Sequence, residues 1–267
     1  MTGINISFPS GRFHATPWGR HVNEGAPEWP PSPWRLFRSL VATWKRKLDG
    51  RFDPDPDKER EAVRGLLEAL AVPPHFALPP ASTGHSRHYM PWFKKGPNDK
   101  TLVFDAFVAL PKPERNGDAA PLNRAECEVL IVWPQIELSG EQRMMLAQLL
   151  EHVGFLGRAE AWCEARLLDA TESAGASGRI NCQPLAATGA SREEEVVRVL
   201  CVHPDTAFKS DKLHRVDRKV SRSGKVTETR KRTVEYDPDW HLCAETLWLH
   251  RERWSDLPGS RWIFYLR

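Results

Sequence analysis

SPWRLFRSLVATWKRKL, residues 32–48, is the stretch that sets the fold of this chain. Ser32 is a good helix cap and Pro33 fits the first helical position, where no amide hydrogen is needed. Leu36, Phe37, Leu40, Val41, Trp44 and Leu48 recur at helical spacing and predict one apolar face over 33–48. Arg35, Arg38, Lys45 and Arg46 gather on the other side. No acid falls between Ser32 and Leu48, although a merely solvated helix would gain from interleaved Glu and Lys, so this face favours an anionic partner.

Just upstream, Ile4, Ile6 and Phe8 alternate with polar residues and predict a first strand. Downstream, residues 57–71 predict a second amphipathic helix, stopped by Pro73 and Pro74. Residues 101–110 and 127–133 read as strands rich in Val, Ile, Leu and Phe. Ser139 and Gln142 form a capping box for a helix over 144–152, Gly154 stops it, and 160–168 is a further expected strand. Strand, helix, strand, strand, helix, strand is the order of a ferredoxin-like (RRM-like) α+β domain.

Residues 170–191 are rich in Ala, Ser and Gly and read as a linker or exposed loop after a first domain over 1–169. Residues 192–267 form a smaller β-rich unit, with strands expected over 196–202 and 261–266. Within it, 205–236 reads as a long basic hairpin turning near Ser223 and Gly224. Between positions 209 and 232, ten cations (Lys209, Lys212, Arg215, Arg218, Lys219, Arg222, Lys225, Arg230, Lys231 and Arg232) face three acids. The local charge of +7, in a chain of net +3, leaves −4 for the rest. Such a run repels itself unless it lies along nucleic acid.

With 267 residues and 40% hydrophobic content, the chain can bury one or two cores. No apolar run is long enough to span a bilayer, and MTGINISF is not a secretory leader, so a cytoplasmic protein with no membrane partner is expected. Five cysteines, Cys127, Cys163, Cys182, Cys201 and Cys243, never form a C-x-x-C pair and suggest reduced thiols, with neither a disulfide framework nor a zinc ribbon. Phosphate-loop, nucleophile-elbow and metal-binding helix motifs are absent. Asp53, Asp55 and Asp57 read as an acidic helix entry, since an EF-hand needs a loop Gly and a terminal Glu. No cofactor or metal is expected.

FPSGRFHATPWGRHVNEG, residues 8–25, alternates cations with rings, as single-stranded RNA binding requires. Arg12 and Arg20 suit phosphate, His14 and Trp18 suit base stacking, and His21 extends the set. Farther on, His85, Arg87, His88 and Tyr89 follow Gly84 in an expected short loop. They suit either a clamp on RNA, the favoured reading, or a metal-independent nuclease with His14, His21, His88 or Tyr89 as base. Gly157 and Arg158 read as a close-approach turn with an anion-seeking cation.

Together GRFHATPWGRHVNEG, EWPPSPWRLFRSLVA, STGHSRHYMPW and GFLGRAEAWC, spread over residues 8–163, resemble the fused Cas-five/Cas-six subunit family of type I-G (formerly I-U) CRISPR effector complexes. That family belongs to the RAMP superfamily of ferredoxin-like folds, and weaker likeness continues to the terminal GSRWIFYLR. Its fused members are roughly twice this length, so the resemblance covers the Cas-five-like part only. The resemblance implies a Cascade subunit that holds the 5′ handle of the guide RNA, caps the backbone filament, and contacts the large subunit near target DNA. A separate Cas-six-like nuclease would then supply processing. Two alternatives remain open: a metal-independent endoribonuclease acting on the guide precursor, and an assembly module using Trp240, Trp248, Trp254 and Trp262 as protein anchors.

Overall fold

The computed structural model describes residues 1–20, 24–91, 100–111, 124–169, 181–185, 194–202, 213–220, 226–234 and 244–252. The described residues form a mixed α+β structure with three α-helices and antiparallel sheets. Strand β1 (Thr2–Ser7) pairs antiparallel with β6 (Val129–Trp133) on one side and with β7 (Glu164–Leu167) on the other. Strand β3 (His75–Ala77) lies antiparallel against the far edge of β6. Numbered by chain position among themselves, these four strands lie in the order 4-1-3-2.

Between β1 and β3 run α1 (Pro33–Thr43) and α2 (Pro56–Leu70), and between β6 and β7 runs α3 (Gly140–Glu151). The expected caps are in place. Ser32 accepts from the Arg35 amide, and Ser139 and Gln142 exchange both bonds of their box; Asp55, read from the sequence only as part of an acidic helix entry, accepts from the Asp57 amide. Opposed residues Ile4 and Ile131, and Ile6 and Val129, face the helices, where Leu36, Phe37, Leu40, Trp44, Leu66, Leu70 and Leu149 close the main core, while Ala77, Leu130, Val132 and Leu168 form a second, smaller cluster. Each such buried side chain contributes about 1.5–3 kcal/mol.

The expected helix over 33–48 is α-helical only to Thr43. Residues 44–48 form one wider π turn, which keeps both Trp44 and Leu48 buried while Arg46 and Lys47 stay exposed. Glu59, buried under this turn, accepts from the amides of Gly50 and Phe52 at 2.9 Å each. Burial opposes its charge, but the Phe52 and Gly50 amides together with the Trp44 side chain hold its pKa below the ordinary carboxylate value.

Three of the strands after residue 170 join this same sheet. Strand β8 (Cys182–Pro184) pairs with β3 through Phe76 and Cys182, then with β12 (Ala244–Glu252), which pairs with β9 (Glu194–Val202). These seven strands form one sheet, β7-β1-β6-β3-β8-β12-β9, which takes strands from before and after residue 170. Part of the expected linker is itself a strand. Val199, Cys201, Leu247 and Leu249 enter the same core as α1.

The described residues also form two smaller sheets. Strand β4 (Ser82–Pro91) pairs along its whole length with β5 (Lys100–Ala109), and the short β2 (Arg12–Phe13) pairs with the other edge of β5. Strands β10 (Leu213–Val220) and β11 (Val226–Val234) form the antiparallel hairpin expected over 205–236, with a register shift between His214 and Val216. The strand expected over 261–266 lies outside the described residues. Cys127, Cys163, Cys182 and Cys201 are buried, while Cys243 falls outside the described residues. No described helix is long and apolar enough to cross a membrane.

Candidate nucleic-acid interface

Strand β5 is the floor on which three distant motifs meet. Directly opposed residues in an antiparallel pair share a face, and alternate residues along each strand do too. Phe107 and Asp105 therefore share one face with Arg12, whose partner is Ala109. The Arg12 guanidinium lies 3.9 Å from the centre of the Phe107 ring. Gly84 of β4 permits this: a Cβ there would stand 2.4 Å from the Phe107 ring.

Next along that face, Arg158 Nη1 is 3.3 Å from Asp105 Oδ1, and its side chain remains about one-third exposed. The turn that delivers it is seated on the N-terminal segment. The Arg158 amide donates to the His14 carbonyl at 2.9 Å, and Gly157 has φ +94° with room for a Cβ only 2.5 Å from that same oxygen. Glycine is required twice there, by conformation and by contact. Arg12, Gly157 and Arg158 are thus brought together on one side of the hairpin.

His14 lies beneath this surface. It is 4% exposed, so it offers no ring face to a base, contrary to the stacking role read from the sequence. Its Nδ1 is 2.6 Å from Glu160 Oε1 and its Nε2 is 4.0 Å from Asp105 Oδ1. Burial first, and then the positive charge of Arg158, hold the His14 pKa below its ordinary value, although Glu160 and Asp105 pull upward. Glu160 itself is held below the usual carboxylate range, against burial, by a backbone hydrogen bond and by His14. An ionised Glu160 only accepts, so Nδ1 carries the imidazole proton.

The opposite face of the same hairpin carries His85, Arg87 and Tyr89, all exposed. They stand on a ten-residue strand and not in the short loop expected from the sequence. The His85 ring stacks on Phe104 at 5.1 Å and 28°, and the Arg87 guanidinium lies 5.6 Å from the same ring. Tyr89 is 70% exposed, one of the most open aromatic side chains described. Only the backbone of His88, paired with Val103, is described, and His21 lies outside the described residues.

Trp18 is exposed at 68% and meets the edge of Trp34 at 6.3 Å, while Arg20 is exposed and paired with Glu24 at 3.0 Å. The basic face of α1 divides in two. Arg35 is committed inward by Glu28, which takes its Nε at 2.9 Å and Nη2 at 3.0 Å, and by the Thr16 carbonyl at 3.2 Å. Lys45 lies 3.9 Å from the Trp44 ring centre and 3.8 Å from Asp49. Both counter-charges lie just outside the acid-free stretch. Arg38 and Arg46 remain exposed.

In the basic hairpin, Arg215, Arg218, Lys219, Arg230, Lys231 and Arg232 lie on paired strands, with Arg218 opposite Glu228 and Arg230 opposite Val216. Lys209, Lys212, Arg222 and Lys225 lie outside the described residues, as do Trp240, Trp254 and Trp262. Residues the sequence did not single out also matter. Phe155 and Trp162 face each other across a single bridge beside Gly157, exposed at 51% and 65%. Arg251 is buried and binds Glu195 Oε1 at 2.6 Å and the Trp29 carbonyl at 2.6 Å. The exposure of the first pair and the long sequence separation of the second leave no local signal for either. Among the described residues no group of acidic, His or Cys side chains is arranged to hold a metal ion.

No family model matches this chain, and no curated protein does. One solved structure with which it can be aligned is described as "Crystal structure of a CRISPR protein from Archaeoglobus fulgidus". The two share 7% identity and a TM-score of 0.26 over 94% of this chain and 86% of that one.

Proposed function

We propose that this chain is a non-catalytic subunit of a type I CRISPR effector (Cascade) complex, built on a ferredoxin-like RAMP domain, that grips the 5′ handle of the guide RNA. The fold part of this reading is supported by the 4-1-3-2 order of β1, β3, β6 and β7 with helices at both crossovers. The observation that carries the functional part is the meeting of Arg12 and Arg158 on one face of the β4–β5 hairpin, with His85, Arg87 and Tyr89 on the other. Forked cations next to open rings suit phosphate and unstacked bases respectively. The basic β10–β11 hairpin is a second nucleic-acid contact, towards guide RNA or target DNA, and the backbone and large subunits of the complex are the protein partners.

The test is incubation of purified protein with end-labelled repeat RNA in EDTA, analysed on native and denaturing gels. A shifted but intact RNA supports handle binding. A discrete cut inside the repeat overturns the non-catalytic reading and makes the chain a processing endoribonuclease. In the first case Arg12→Ala should weaken binding and make its salt dependence shallower by about 0.7 for one lost phosphate contact. An unchanged slope removes Arg12 from the interface.

A further inference from the structure

Away from the β4–β5 hairpin, cations and tryptophans alternate in a second place. Arg38 lies 4.9 Å from the centre of the Trp34 ring, and Trp34 meets the edge of Trp18 at 6.3 Å and 65°. Gly19 follows Trp18 with φ +79°, and the Cβ position on Gly19 is 3.9 Å from Arg198 Nη2. Arg198 in turn stands directly across from Trp248 in the β9–β12 pair, so the two share a face of the sheet. Trp18 is 68% exposed and Trp248 49%.

Strand β9 ends the seven-stranded sheet, so this tract passes from α1 over the sheet edge to its outer face. Residues 195, 197, 199 and 201 point the other way. Val199 and Cys201 are in the core and Glu195 holds Arg251, which leaves Val196 and Arg198 outward and exposed. Among the described residues, neither Arg38 nor Arg198 has an acidic side chain within ion-pair distance, whereas Arg20 has Glu24 and Arg35 has Glu28. The tract is positive and aromatic together.

We infer that Arg38, Trp34, Trp18, Arg198 and Trp248 form a sequence-independent platform for a single nucleic-acid strand, its bases on the rings and its phosphates on the two guanidinium groups. A protein partner of comparable affinity would be better met by contiguous apolar area, and here each ring is next to a cation. Arg38 also presents its outer plane, since a guanidinium lying on a ring can itself receive a base. The platform rests on the nucleic-acid reading above, and it extends that reading to residues remote from the hairpin. RNA and single-stranded DNA share the recognised chemistry.

The experiment is fluorescence anisotropy of the full chain with a short labelled oligouridylate and a matched oligothymidylate, neither containing the repeat. Trp248→Ala should weaken binding about tenfold, the scale of one lost stack, and Trp248→Phe should restore most of it. Arg198→Ala should lower the salt slope by about 0.7. Both positions are exposed, and thermal melts of each variant verify that the fold is intact. Wild-type affinity for both oligonucleotides in the Arg198→Ala, Trp248→Ala double variant overturns the platform, whatever else occupies this face. The handle reading fails separately, if repeat RNA binds no better than oligouridylate. A preference between the two oligonucleotides identifies which kind of strand the platform serves.

Discussion

Gly157 is the residue on which the hairpin surface depends, because the turn that carries Arg158 touches the His14 carbonyl through a glycine at φ +94°. Gly157→Ala should cost about 1–3 kcal/mol in a thermal or urea melt, from the strained backbone and the contact together. His14, under the same turn, makes stability depend on pH. Its folded pKa lies below its unfolded one, so the stability it contributes is complete above the unfolded value, near 6.5, and is lost as pH falls through the lower folded value. Melting temperature should therefore decline on acidification below about pH 6.5. His14→Gln should flatten that part of the profile, and an unchanged profile would place the dependence elsewhere. Arg12 and Arg158 were legible as cations that seek phosphate. The burial of His14 was not, since a histidine between Phe13 and Ala15 reads the same whether the strand turns it inward or outward.

At the scale of elements, α1 and α3 are written in their own caps: Ser32 with Pro33, and Ser139 with Gln142, are local signals read within four residues. Strand β4 is the opposite case. STGHSRHYM has a glycine, few apolar residues and no alternation, because both of its faces carry polar side chains and its strand character comes from pairing with β5. Gly84 belongs to that pairing and not to a turn. Gly84→Ala should push the Phe107 ring aside and unseat Arg12, weakening repeat-RNA binding several-fold while far-ultraviolet circular dichroism stays unchanged. Binding equal to wild type would mean that the Arg12–Phe107 contact does not shape the interface. The π turn after Thr43 was equally invisible, since Trp44 and Leu48 fit an α-helical stripe as well as a π one.

Over the whole molecule, the N-terminal and C-terminal parts share a sheet and a core, and a buried cation ties them as well. Arg251 of β12 reaches the Trp29 carbonyl beside the entry to α1, and Glu195 supplies its counter-charge. Arg251 is 6% exposed at its side chain and Glu195 36%, so the two partners are not equivalent. Removing the acid takes a counter-charge from a buried cation, whereas removing the cation leaves a carboxylate that water can reach. Glu195→Ala should thus destabilise by about 3 kcal/mol, more than Arg251→Met, in paired denaturant titrations. The opposite ranking would show that packing of the Arg251 stem outweighs its charge. No sequence pattern announces this contact, because 222 residues separate its ends.

The position of β12 in the sheet has one more consequence. It is later in the chain than any other described strand, yet it lies between β8 and β9. On the ribosome, β9 emerges before β12, the strand it pairs with, and Val199, Cys201 and the underside of α1 wait with it until residue 252 is made. Newly made chain is therefore left with an open seam in its sheet until translation has passed β12. That is when a holdase, or a slow run of codons, would change the yield of folded protein most.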